Sequence, residues 1–310
     1  MGQVLCYRGC KSLLFFSVLG LLFFSSCRST RSFTSPLPEE YSIRMSKSSA
    51  SGYKNVKRVR KYEFAHRDVP AAFDGCRLGF VSDLHYRSLL KEKGLRDITR
   101  LLNDLRLDAL LIGGDLHEGC EHVPDVIAAL GAVKTPLGTY AVLGNNDYEA
   151  CYDDILKEME HQGIHLLEHE ADTLKRNGGR IVIAGVRNPF NLGQNGQSPT
   201  LSLSPDDFAI LLSHTPDYAE DVPITNTDLV LAGHTHGGQV TLFGLYAPVI
   251  PSRYGRRFLT GLGYNSNNTP IIVTNGIGTS RKNVRLFAPS EVVVITLRRF
   301  VNIEHTMHYE

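Results

Sequence analysis

Asp83, His85, Asp115, Asn145, His214, His234 and His236 are the residues of this chain whose types and positions could do chemistry together. Each follows a short apolar run. Val81-Ser82 leads into Asp83-Leu84-His85, Leu111-Ile112 into Gly113-Gly114-Asp115, and Val142-Leu143 into Gly144-Asn145-Asn146-Asp147. Leu212-Ser213 leads into His214, and Leu231-Ala232 into Gly233-His234-Thr235-His236-Gly237. Apolar runs of this length read as buried strands. In α/β sheets, sites assemble at the carboxyl ends of strands. The pattern therefore gathers all seven side chains on one edge.

Mixed imidazole, carboxylate and amide donors suit Mn, Fe or Zn better than Mg or Ca. The expectation is two divalent transition-metal ions, Mn first, with Fe or Zn as alternatives. Two close cations need a shared carboxylate to lower their repulsion. Asp115 suits that role because the glycines before it let the backbone turn tightly. Asp83 and His85 are two positions apart, as are His234 and His236, so each pair faces one side if the strand continues. Ions about 3.5–4 Å apart are characteristic of phosphoryl hydrolysis, where they polarise phosphate oxygens and activate water. Taken singly, these tripeptides are ordinary turns and a lone His214 is an ordinary buried histidine; their succession after five strands is what chance does not supply.

The elements that must position these residues alternate. Arg77–Ser82, Ala109–Ile112, Tyr140–Leu143, Arg180–Ala184, Ala209–Leu212, Leu229–Ala232, Ile271–Thr274 and Val292–Leu297 read as strands. Lys91–Leu105 has helical spacing, with Leu95, Ile98, Leu101, Leu102 and Leu105 on one face; Val123–Leu130 and Asp153–Gln162 are further helices. This predicts an α/β domain with helices outside packed sheets. A formal net charge of +1 gives no whole-chain case for nucleic-acid binding.

Arg8 and Lys11 precede an apolar run, Leu13 to Phe24, that is short for a membrane span and suits the core of a secretory signal. Cys27 after Phe24-Ser25-Ser26 weakly resembles a lipoprotein cleavage box, so an uncleaved anchor and a lipoprotein both stand. Flanking positive charges do not settle orientation. Residues 28–52 are rich in Ser and Thr and read as a flexible linker; 1–27 is then the signal or anchor segment and 53–310 the catalytic domain. The basic run Lys54 to Arg67 reads as attraction to anionic lipid. Three body cysteines, Cys76, Cys120 and Cys151, cannot all pair, and no CxxC occurs. A disulfide framework is therefore not expected, and a reduced compartment is compatible with the body.

Asp83-x-His85, Gly114-Asp115, Gly144-Asn145, His214 and Gly233-His234-x-His236 together resemble the signature of the calcineurin-like metallophosphoesterases, over about Tyr53 to the C-terminus. The resemblance implies a four-layer α/β/β/α sandwich. It also implies one metal held by Asp83, His85, Asp115 and His236, and a second by Asp115, Asn145, His214 and His234. Gly237-Gly238-Gln239, Tyr246-Ala247-Pro248, Arg253-Tyr254-Gly255-Arg256-Arg257 and Gly276-Ile277-Gly278-Thr279-Ser280 are similar to a membrane-associated bacterial branch.

One departure narrows the expectation. Asn146 stands where most members carry a histidine that assists the leaving oxygen. With Asp147 it forms the expected catalytic pair. An amide cannot donate a full proton but can offer an N–H. A poor leaving group depends on general-acid help worth about 10²–10⁴-fold, whereas a phosphate leaving group needs little. Asn146 therefore points to a phosphoanhydride, unless another acid such as His117 replaces the histidine. Together with the N-terminal segment, the resemblance implies a lipid-linked phosphate substrate. The sharpest case is hydrolysis of UDP-2,3-diacylglucosamine to UMP and diacylglucosamine 1-phosphate in lipid A synthesis. That substrate requires the cytoplasmic face of the membrane. Arg253, Arg256 and Arg257 are candidates to bind the diphosphate. Leu242, Phe243, Leu245, Tyr246 and Val249 are expected to pack the sheet rather than line an acyl groove. A broad phosphodiesterase or phosphatase, and a non-catalytic metal-binding envelope lipoprotein, are the alternatives.

Overall fold

The computed structural model describes residues 41–187 and 196–300. The apolar run Leu13 to Phe24, Cys27 and the first part of the expected linker lie outside the described residues. Among those described, no helix is long and apolar enough to cross a membrane.

The strands, in chain order, are β1 (Tyr41–Ser49), β2 (Arg58–His66), β3 (Arg77–Val81), β4 (Ala109–Ile112), β5 (Thr139–Ala141), β6 (Ile164–Leu166), β7 (Glu170–Arg176), β8 (Gly179–Gly185), β9 (Ala209–Ser213), β10 (Leu229–Ala232), β11 (Gly261–Tyr264), β12 (Pro270–Val273) and β13 (Glu291–Arg299). The α-helices are α1 (Glu92–Asp104), α2 (Val123–Gly131), α3 (Asn145–Glu149), α4 (Tyr152–His161) and α5 (Tyr218–Asp221).

The strands form two sheets, ordered β1-β2-β13-β3-β4-β5-β6 and β11-β12-β10-β9-β8-β7. β3 to β6 run parallel in the first, and β8, β9, β10 and β12 run parallel in the second. The central strands are buried on both faces, which is why they read as unbroken apolar runs. Their alternation still sorts the side chains. Leu78, Phe80, Ala109 and Leu111 meet Ile210, Leu212, Leu229 and Leu231 between the sheets. Val81, Leu110 and Ile112 face outward onto Leu95, Ile98 and Leu102 of α1, Val126 and Ile127 of α2, and Ile155 and Met159 of α4. Outside the second sheet, Leu211, Val230 and Ile271 pack on Tyr218, Ala219 and Phe258. The four layers expected from the sequence are present, and the fourth consists of short helical turns.

Four readings change. The stretch expected as linker over 28–52 includes β1, paired with β2 along its whole length. Its Ser-rich, half-solvated sequence is that of an edge strand. The basic run is only partly a surface feature, because Arg58 and Arg60 turn onto the buried Glu291. Cys120 and Cys151 form a disulfide, leaving Cys76 buried and free. An odd count forbids complete pairing, not one bridge. Leu242, Phe243, Leu245, Tyr246 and Val249 are exposed instead of packing the sheet. A short antiparallel bridge between Leu242 and Tyr246 projects their turn from the surface.

Candidate two-metal site

The five apolar runs end where the sequence places the polar residues, and both sheets contribute. Asp83 follows β3, Asp115 follows β4 and Asn145 opens α3 after β5; His214 follows β9 and His234 follows β10. The expected reason for the two-residue spacing is not the one observed. β3 stops at Val81, and Asp83 and His85 take positive φ, 52° and 39°. Asp115, His234 and His236 do the same, at 54°, 68° and 53°. The chain leaves β3, β4 and β10 through a left-handed turn that swings the donor inward, a conformation rare for residues with a Cβ. At Gly114 (φ 86°) an added Cβ would sit 2.2 Å from the Gly144 nitrogen, so the Asp115 and Asn145 turns touch only because a hydrogen stands there.

The donors converge as a shared ion would require. Asp115 Oδ2 lies 3.4 Å from His85 Nε2 and 3.4 Å from His214 Nε2. His236 Nε2 is 3.3 Å from Asp83 Oδ1 and 3.2 Å from His85 Nε2. His234 Nδ1 is 3.2 Å from His214 Nε2. Two ligands bonded at about 2.0–2.1 Å to one tetrahedral ion stand roughly 3.3 Å apart, so these spacings fit a cation between each pair. Two donor groups result, Asp83–His85–His236 and Asp115–His214–His234. Asn145 Oδ1 is buried without a hydrogen-bond partner, an orphaned acceptor suited to the second ion. A third cluster, His66–Asp68–Asp228, has a simpler account. His66 Nδ1 accepts the Asp68 N–H at 3.2 Å, which leaves the proton on Nε2 facing Asp228.

Outer contacts fix the ligands. His214 Nδ1–H donates to the Gly113 carbonyl (2.7 Å) and His85 Nδ1–H to Glu118 Oε1 (2.7 Å), turning each Nε2 inward. Ser82 Oγ–H and the His234 N–H donate to Asp83. Arg285, half-buried among carbonyls of Gly278, Asn275 and Ala288, also reaches His236. Burial would raise the Asp115 carboxyl, but His214 and His85 outweigh it and hold it well below the usual carboxylate range. Burial works against a charge on His214, and Asp115 and Asp83 overcome it, raising the imidazole to about 10. The same carboxylates favour any cation there. Burial and then His214 lower His234 to about 3, and burial, His85 and Arg285 hold His236 well below its ordinary value.

All seven expected ligands meet. The other expected residues divide. Asn146 lines the cleft; its N–H donates to Asp115 Oδ1 (3.0 Å) and its Oδ1 accepts from Asn145. His85 Nδ1–H is committed to Glu118, so the Asn146 amide N–H is left for a ligand. Asp147 does not face the cleft. Fully buried, it accepts the N–H groups of Asp115, Leu116 and Gly144 at 2.7–2.9 Å, which makes it a positioning residue and not a catalytic one. His117 is no substitute acid: its Nδ1 accepts the Gly119 N–H and it does not line the cleft. Arg253 lines the cleft but pairs with Asp221, while Arg257 turns away onto Glu220 and Arg256 donates to the Leu245 carbonyl. Arg281 and Lys282 line the cleft and were missed; their signal was their place just after Gly276-Ile277-Gly278-Thr279-Ser280. Glu118 was missed because a surface-like Gly-Asp-x-x-Glu carries no mark of its partner His85.

The cleft above the donors encloses about 1340 Å³, more than the roughly 300–1,000 Å³ of ordinary small-molecule pockets. The Cys120–Cys151 bridge ties the turn after Asp115 to the end of the α3 segment that carries Asn145.

Residues 76–238 match the family profile described as calcineurin-like phosphoesterase. The chain is 31% identical to the uncharacterized metallophosphoesterase YkuE of Bacillus subtilis over 236 residues, which is 74% of this chain and 82% of that one. An uncharacterized metallophosphoesterase of Aquifex aeolicus is 28% identical over 78% of this chain and 92% of its own. One from Helicobacter pylori is 31% identical over 70% of this chain and 58% of its own.

Proposed function

The chain belongs to the calcineurin-like phosphoesterase family, and from that premise we propose that it hydrolyses the phosphate linkage of a lipid-linked substrate with two divalent ions. Asp83, His85 and His236 would hold one ion and Asn145, His214 and His234 the other, with the Asp115 carboxylate available to both. When bound, the ions polarise the phosphoryl oxygens and lower the pKa of water. The observation that carries this reading is Asp115 Oδ2, equidistant at 3.4 Å from a histidine of each group. The mixed donor set fits Mn, Fe or Zn, and Mn is the ion proposed.

Around the ions, the chain's own groups bind and orient. Asn146 offers an N–H to a phosphoryl oxygen, and Arg281 and Lys282 supply positive charge along the cleft wall. An amide at position 146 suits a leaving group that needs no proton, so a phosphoanhydride is the preferred linkage. The sharpest candidate is UDP-2,3-diacylglucosamine, cleaved to UMP and diacylglucosamine 1-phosphate at the cytoplasmic face. Purified protein with Mn, offered that substrate in mixed micelles beside bis-p-nitrophenyl phosphate, is expected to release UMP. Turnover of the chromogenic diester alone would remove the anhydride proposal.

The Cys120–Cys151 disulfide favours a second reading. Disulfides persist in oxidising compartments and are rare in the cytosol, which suits an exported body, anchored or lipidated at Cys27, acting on phosphate esters of envelope lipids. Alkylation of intact cells with a membrane-permeant thiol reagent separates the two. An unmodified Cys120–Cys151 pair supports the exported reading, and full alkylation supports the cytoplasmic one.

A further inference from the structure

We propose that the rim of the cleft is a docking surface for an anionic lipid bilayer, placing the mouth of the site at the headgroup layer. Phe243, Leu245 and Val249 are 71%, 70% and 69% exposed, and Leu242, Tyr246, Val284, Leu286 and Phe287 are exposed beside them. Single exposed apolar residues need no explanation, but a contiguous group does. The two segments that carry them are joined: Val240 bridges Leu286, the Thr241 N–H donates to the Leu286 carbonyl, and the Phe243 and Phe287 rings lie 5.3 Å apart. Both phenylalanines have a φ of 53°, a left-handed conformation that bulky residues avoid. The backbone thus holds two aromatic rings outward against its own preference.

Charge decides the occupant. Residues 240–257 and 280–289 contain no Asp or Glu, and with Arg253 and Arg257 paired to Asp221 and Glu220 and Arg285 turned onto carbonyls, the cations left facing out are Arg256, Arg281 and Lys282. Arg281 and Lys282 are exposed and form no ion pair among the described residues. Apolar side chains flanked by cations are the composition of an interfacial anchor, in which rings enter the acyl boundary and basic groups meet anionic headgroups. A second copy of the same surface would set these cations against one another. The surface is also continuous with the site, because Val249 and Val284 line the cleft that Asp115, Asn146 and His236 line deeper in.

The chain has no tryptophan, so one introduced residue reports its own surroundings. Full-length Phe243→Trp protein in vesicles containing anionic lipid is expected to emit at shorter wavelength. Its quenching by bromine-labelled lipid should be several-fold that of a Glu160→Trp control, placed near the end of α4. Neutral vesicles or high salt should weaken it. Equal quenching of the two variants overturns the proposal. So does a blue shift without lipid quenching, which would mark a second copy as the occupant. A functional arm rests on the reading of the substrate as lipid-linked. In Leu245→Asp the ratio of vesicle-embedded to soluble-substrate turnover is expected to fall at least tenfold. An unchanged ratio with lipid quenching intact supports the docking and removes the lipid-linked substrate.

Discussion

At the floor of the cleft Asp115 is buried with Asp147 just beneath it, and their carboxylates face backbone N–H groups and imidazoles. At the rim, Phe243 and Leu245 lie in solvent on a turn held by two isolated bridges and a few turn hydrogen bonds. The floor is over-determined and the rim is under-determined. Chemistry that needs donors held to a few tenths of an ångström demands the first arrangement. A surface that meets an irregular, mobile partner has no use for it. On the proposed function, reaction class resides in the floor and substrate choice in the rim.

Substitutions can break that contrast. The largest effect belongs to Asp115→Ala, which removes the shared ligand. Turnover should fall about 10³-fold or more, since a two-ion clamp is worth several kcal/mol, and metal content by mass spectrometry should drop with it. Retained turnover would end the two-ion account. Asp147→Ala leaves the N–H groups of Asp115, Leu116 and Gly144 without an acceptor. At about 1–3 kcal/mol for each of the three buried groups left unsatisfied, urea unfolding should show a loss of roughly 3–9 kcal/mol. A loss below about 1 kcal/mol would mean the floor is not locked as described. Glu118→Gln keeps the shape but removes the charge facing His85 Nδ1. Metal titration by calorimetry should show affinity reduced about 10–100-fold, and unchanged affinity would make Glu118 a bystander. Smallest is Phe287→Ser at the rim, where stability should stay within about 0.5 kcal/mol. A larger change in the unfolding midpoint would show that the rim is packed after all.

What could be read in the sequence follows the same division. The ligands were legible because metal chemistry admits few residue types, and their strands because double burial leaves unbroken apolar runs. The left-handed turns that aim the ligands were not legible, since Asp83-Leu84-His85 looks the same on a continuing strand. β1 hid because Tyr41–Ser49 is an edge strand with one solvated face and the composition of a linker. The Arg253–Arg257 cluster looked like one anion site. Its guanidiniums answer to Asp221, Glu220 and the Leu245 carbonyl, partners 32 and 37 residues upstream for the two acids and on a facing turn for the third. Cys120 and Cys151 stand 31 residues apart, and only the meeting of the β4 and β5 turns brings them together. Residue types reveal what must be in a site, and fold geometry decides which neighbours compete for them.

The five left-handed ligands have a consequence for how this protein can change. A residue with a Cβ in that conformation costs on the order of 1 kcal/mol or more, and glycine would cost almost nothing. At Asp83, His85, Asp115, His234 and His236 the most comfortable backbone is therefore one that abolishes the site. Stability and function pull the same codons in opposite directions. Selection for heat resistance alone, with activity unmonitored, would erode the centre from within before it touched the core.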